Sequence, residues 1–125
     1  MIKELAKAIH ANAKQKGFYE EPKNIAEILC LIHSEVSEAL EALRKNKFID
    51  KKNKVDSDFL LKELNINDWN EHFNHHIKDT FEDEMADVII RVLDLCEYMK
   101  IDIEWHINAK MRNNELRPYK HNKRF

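Results

Sequence analysis

Apolar residues return at helical spacing along most of this chain. Ile2, Leu5, Ala6, Ile9 and Ala13 predict a first amphipathic helix that stops at Gly17, the only glycine and a C-cap candidate. Phe18 to Pro22 reads as a connection, with Pro22 starting or preceding the next helix. A broad stripe of Ile25, Ile28, Leu29, Ile32, Val36, Ala39, Leu40 and Leu43 then predicts a long core helix, closed by the basic cluster Arg44, Lys45, Asn46 and Lys47 that suits a helix C-terminus. Residues 48–78 lose the regularity and are rich in Lys, Asn and Asp. Apart from a short helical patch at Phe59, Leu60, Leu61 and Leu64 and an aromatic group at Trp69 and Phe73, this stretch reads as an insertion or lid. The pattern resumes with Phe81, Met85, Val88, Ile89, Val92, Leu93 and Cys96, a third helix ending near Met99. Asp102 is placed to cap a fourth, which carries Ile103, Ile107 and Met111 and frays before Pro118. The expected architecture is all-α: a four-helix, bundle-like protomer forming one domain over residues 1–125, with an inserted segment between helices two and three and a flexible basic tail over 119–125.

Composition sharpens this picture at a few points. The chain has 43% hydrophobic and 35% charged residues but one Gly and two Pro, too few turn-formers for a sheet protein with many tight turns. A net charge of −2 gives no global basic field, so nucleic acid is not an expected partner. Basic residues gather instead near the end, where Lys110, Arg112, Arg117, Lys120, Lys123 and Arg124 face the single acid Glu115. Cys30 and Cys96 sit within apolar helical patterns, which predicts buried free thiols rather than a disulfide. No stretch approaches the ~18 apolar residues of a membrane span and no secretory leader is evident, so the expected location is the cytoplasm, with no membrane partner.

Helix two carries Glu35 and Glu38 and helix three carries Glu84 and Asp87, each pair one turn apart on one face. Val36, Ala39, Met85 and Val88 lie on or beside the apolar stripes, which draws these acids toward the interior or its rim. Four carboxylates gathered there repel one another and resist desolvation unless a cation joins them. All-oxygen coordination suits Mg²⁺ or Mn²⁺ better than zinc, and Mg²⁺ commonly acts with substrate phosphates. A ferritin-like di-iron centre expects Glu-x-x-His pairs, and neither Glu35 nor Glu84 has His three positions on. The competing reading of the acids is that charged pairs one turn apart are common on solvated helix faces.

The run His33 to Ala42, followed by Glu82 to Val88, resembles the E-x-x-E and E-x-x-D motifs of MazG-like nucleotide pyrophosphohydrolases, the all-α NTP pyrophosphatase superfamily. Lys16 to Tyr19 resembles the segment after the first helix in small members. The tail from Lys110 through Asn114, Arg117 and Pro118 to His121 resembles their K-x-x-x-N-x-x-R-P ending. Matching segments cover about three-quarters of the chain and leave out the insertion. This chain departs from the pattern at Ser34, where many members have a further Glu, and at Asn122, where the tail usually has Gly.

The resemblance implies that Glu35, Glu38, Glu84 and Asp87 bind Mg²⁺, with Mn²⁺ a possible substitute, and that Lys110, Asn114 and Arg117 hold the phosphates of a nucleoside triphosphate substrate. The implied reaction yields the monophosphate and pyrophosphate, with Glu38 or Glu35 as general base. A non-catalytic module that senses nucleotide or docks a partner is the alternative. Helices two and three look apolar around more than half their circumference, which predicts a homodimer or homotetramer. His72, His75 and His76 read as solvated histidines rather than a transition-metal site, and Trp69 and Trp105 as packing residues rather than base platforms.

Overall fold

The computed structural model describes residues 1–62 and 65–124. Among the described residues it is all-helical, without strands: α1 (Ile2–Gln15), α2 (Ile25–Arg44), α3 (Lys51–Leu60), α4 (Ile66–His76), α5 (Phe81–Tyr98) and α6 (Ile103–Glu115), then one 3₁₀ turn at Tyr119–Asn122. The four helices predicted from apolar periodicity correspond to α1, α2, α5 and α6. Two more, α3 and α4, occupy the segment expected to be irregular. Their sequences are polar and carry no wide apolar stripe. They are started instead by side-chain caps, Asp50 accepting from the Lys52 N–H at 2.7 Å and Asn65 from the Asn67 and Asp68 N–H groups, and they pack on each other. Phe59 and Leu60 of the expected helical patch close α3 and Leu61 caps it, while Leu64 lies outside the described residues.

Three helices end in the same way. After α1 the Gly17 N–H reaches the Lys14 carbonyl and the Phe18 N–H the Ala13 carbonyl, with Gly17 at φ +87° one residue beyond the Lys16 cap. The same pair of bonds closes α2 around Asn46 and α5 around Lys100, both at positive φ. With one glycine in the chain, Asn and Lys take left-handed positions that cost an L residue roughly 1–2 kcal/mol.

The chain divides into two compact units, one of residues 1–22 and 92–125, the other of residues 23–91. In the first, α1 packs on α6, and Asp94 gathers two partners, His10 Nδ1 at 2.8 Å and the Tyr19 hydroxyl, which donates at 2.5 Å. The Tyr19 ring lies 4.6 Å from His10 and 4.9 Å from Tyr98, centroid to centroid. Burial, then the Asp94 carboxylate, pushes the Tyr19 phenol well above its usual range.

In the second unit the segment holding α3 and α4 leaves and rejoins through a narrow neck. The Phe81 N–H donates to the Lys47 carbonyl at 2.8 Å, the Ile49 N–H to a Glu82 carboxylate oxygen at 3.1 Å, and the Phe48 and Phe81 rings lie 5.4 Å apart.

Side chains buried in this chain are mostly small: Ala6, Ala39, Ala42, Leu93, Leu95 and Cys96. Among the described residues no large side chain is fully sealed, and Leu29, Val36, Leu40, Leu43, Met85 and Ile89 are exposed. Both cysteines are free thiols. Cys96 is buried, and burial raises its pKa. Cys30, expected to be buried, is exposed, because the apolar arc of α2 is wider than the core it faces. Among the described residues no helix is long and apolar enough to cross a membrane.

Candidate metal centre

On α2 the buried residues are Glu35, Ala39 and Ala42, an i, i+4, i+7 row on one face. Two alanines beside the carboxylate keep that face shallow, so acids reaching across from a neighbouring helix have room. Glu84, in the first turn of α5, is buried as deeply, with 7% of its surface exposed against 6% for Glu35. The start of α5 is fixed by its own side chains: Thr80, itself buried, accepts from the Asp83 N–H at 3.3 Å, and Asp83 accepts from the Asp79 N–H at 2.9 Å. Glu82, Asp83 and Glu84 thus sit where unpaired N–H groups and the helix dipole favour negative charge.

One oxygen each from Glu35, Glu38 and Glu84 fall within 4.8 Å of one another. Three of the four predicted acids therefore meet. Asp87, half-buried, stands outside this group, yet the Glu35 charge is felt there. Glu38 is exposed and forms the open side. Oxygens around Mg²⁺ at about 2.0–2.1 Å lie roughly 2.9–4.2 Å apart, so the three carboxylates fit one hard, oxygen-ligated divalent cation with slight closure of the exposed Glu38. Nothing in the donor set favours a soft ion.

Electrostatics agree with that fit. Burial, followed by the charges of Glu38, Asp87, Asp79 and Asp83, pushes Glu84 up to about 7. Glu38 is raised first by its hydrogen bond with the Glu35 carboxyl and then by the Glu35 charge, while a hydrogen bond with Glu84 acts the other way. Asp87 is raised by burial and by Asp83 and Glu35, with Arg91 opposing. Without a cation, this group of acids retains protons that isolated carboxylates would lose.

Arg91 escaped the sequence reading. Its Nε donates to Glu35 Oε1 at 2.6 Å, and Glu35 shows only 8% side-chain exposure in that ion pair. The signal was present in the spacing, since Arg91 follows Asp87 by four and Glu84 by seven and so shares their helix face. It supplies a partly exposed positive charge beside the acids and fixes Glu35 Oε1.

The three phosphate-binding candidates lie in the other unit from the acids. Lys110 is exposed on α6, Arg117 is half-buried just past its end, and Asn114 holds a buried Oδ1 without a hydrogen-bond partner among the described residues. A buried acceptor left unpaired costs about 1–3 kcal/mol, and this amide oxygen would pair with a donor rather than with a phosphate oxygen. Of the two tryptophans, Trp69 is half-buried with its ring centroid 6.1 Å from that of Phe73, as expected of packing, whereas Trp105 is 61% exposed, against that expectation, with its ring edge-on to His106. Compared with family models, curated proteins and solved structures, the chain finds no match, so the reading of this site rests on its geometry and its motifs.

Proposed function

We propose that this protein is a Mg²⁺-dependent nucleotide pyrophosphohydrolase that cleaves a (d)NTP between its α and β phosphates to give the (d)NMP and pyrophosphate, a nucleotide-pool house-cleaning activity. The observation that carries the reading is the meeting of Glu35, Glu38 and Glu84, two of them buried, at the acid-x-x-acid motifs that resemble those of MazG-like enzymes. Glu35, Glu38 and Glu84 would hold the ion, with Asp87 beside them. Mg²⁺ bound there supplies positive charge to the phosphate oxygens and acidifies water.

The residues divide the remaining work. Arg91 orients Glu35 and offsets part of its charge, so Glu35 serves as a fixed ligand. Glu38 is the acid of the three open to solvent, which suits it to take the proton of the attacking water. As the water oxygen bonds to phosphorus, the bridging oxygen departs with pyrophosphate. Mn²⁺ is expected to substitute, because it accepts the same oxygen donors.

One observation favours the alternative of a non-catalytic nucleotide-sensing or partner-binding module. Ser34, where many MazG-like chains have Glu, donates to the Leu31 carbonyl of its own helix at 2.6 Å and adds no ligand. Pyrophosphate release separates the readings. With a panel of NTPs and dNTPs and Mg²⁺, the native chain is expected to turn over at least one nucleotide and to stop when a chelator is added. Failure of the folded protein to release pyrophosphate from any of them would leave the binding module as the better reading.

The same proposal includes a second copy of the chain. Leu29, Val36, Leu40 and Leu43 are exposed and, at about 100° per residue, fall within about 60° of arc on α2. A row of that kind is a self-complementary seam for a homodimer, or for half of a tetramer. Leu40→Glu is expected to lower the mass found by sedimentation to that of a monomer. A native chain that sediments as a monomer at every concentration would rule the seam out.

A further inference from the structure

Once α4 is seen as a helix, its histidines cease to be scattered. At about 100° per residue, Asp68, Glu71, His72, His75 and His76 fall within about 140° of arc, and the five line one surface recess of about 250 Å³. His72 and His76 are one turn apart, with ring centroids separated by 4.8 Å. A zinc–nitrogen distance of about 2.0–2.1 Å puts an imidazole centre roughly 3.2 Å from the ion, so two imidazoles on one tetrahedral ion lie about 5 Å apart. The pair already stands near that spacing.

A contact from α3 fixes which atom of His72 is available. Ser57 Oγ is 2.6 Å from the Asn53 carbonyl oxygen and 2.7 Å from His72 Nε2. A carbonyl brings no hydrogen, so the one hydroxyl hydrogen of Ser57 lies toward Asn53, and Ser57 accepts from the His72 Nε2–H. Neutral His72 then carries its lone pair on Nδ1. An imidazole with one N–H anchored to a neighbouring acceptor and the other nitrogen bare is the usual state of a metal-ligating histidine. Ser57 is itself buried, so this anchor is built into the packing of α3 on α4.

We infer that α4 carries a second cation site, distinct from the carboxylate centre, for a borderline transition-metal ion such as Zn²⁺, held by His72 Nδ1 and His76. Imidazole donors select zinc, copper or nickel over magnesium, so the two sites take different ions. Among the described residues only Glu35, Glu38 and Glu84 have three donor atoms already converged. The third ligand on α4 therefore swings in from Asp68, Glu71 or His75 as the ion binds, with water completing the shell. Because Ser57 belongs to α3, a bound ion tightens the α3 and α4 pair.

The test is a Zn²⁺ titration of the full chain against a chromophoric chelator, with Mg²⁺ in excess throughout to occupy the carboxylates. One equivalent of tightly held Zn²⁺ per chain is expected. His76 is exposed, so His76→Ala keeps the fold by circular dichroism and is expected to weaken the affinity at least ~10-fold. Ser57→Ala is expected to weaken it several-fold and Ser57→Thr, which keeps the hydroxyl, to restore it. Absence of Zn²⁺ binding under these conditions, or an affinity unchanged in both His72→Ala and His76→Ala, overturns the site.

Discussion

Glu84→Gln is expected to lower Mg²⁺-dependent pyrophosphate release roughly 10²–10³-fold while making the metal-free protein more stable. The two effects share one cause. Glu84 is buried against Glu38 and Asp87 with its pKa pushed up to about 7, whereas in the unfolded chain it ionises as an ordinary Glu near 4.5. Between those values the unfolded chain gives up a proton that the folded chain keeps. Stability from this group is therefore intact below about pH 4.5, declines as pH rises toward 7, and stays low above it. At about 1.36 kcal/mol per pK unit the decline amounts to up to about 3 kcal/mol. Glu38 and Asp87, raised for related reasons, slope the same way.

Glutamine keeps the shape and removes the charge, so in chelator the variant is expected to melt several degrees above the native chain at pH 8 and level with it near pH 4.5. Added Mg²⁺ is expected to reverse the order at pH 8, since only the native chain gains fully from the ion. Thermal melts at fixed protein concentration read all of this. A native chain equally stable at both pH values, and unmoved by Mg²⁺, would remove the physical basis of the metal centre.

Arg91→Ala is expected to be the most destabilising change. It leaves Glu35, 8% exposed, without its counter-charge. Losing one partner of a fully buried pair costs about 3–5 kcal/mol. Arg91 is 41% exposed, so water replaces part of what is lost, and about 2–3 kcal/mol is the expected change in urea unfolding with chelator present. Mg²⁺ is expected to recover most of it, because the ion and the guanidinium neutralise the same carboxylate. Equal destabilisation with and without Mg²⁺ would make Arg91 a packing residue only. Arg91→Lys keeps the charge but lacks the Nε that makes the bond, so partial recovery is expected.

Those expectations trace to features of unequal legibility. The helices α1, α2, α5 and α6 could be read from the chain because apolar residues recur in each at the 3.6-residue period, although α6 buries none of its side chains fully. In α3 that period is faint, and in α4 it is carried only by Ile66, Trp69 and Phe73 among polar residues. They are held by the Asp50 and Asn65 caps and by each other, and a polar helix with a good cap looks like a loop to any reading of hydrophobicity. Spacing placed Glu35, Glu38 and Glu84 on suitable faces. It could not show that Asp87 would stand aside, since that depends on how α5 is rotated about its axis. Arg91 was hidden for another reason: it is one of 21 Lys and Arg residues, and only the buried Glu35 opposite marks it out.

The neck joining Lys47 to Phe81 bears on how this chain can change over generations. Main-chain atoms make its shortest bond, so the closure depends little on which side chains are present. Once both ends are pinned, doubling the length of the chain between them adds only about 0.6 kcal/mol of closure entropy. The stretch carrying α3 and α4 can therefore lengthen, shorten or acquire new surface chemistry, while the acids of α2 and the first turn of α5 keep their register. Variation is channelled into an appendage, and the inherited chemistry is insulated from it.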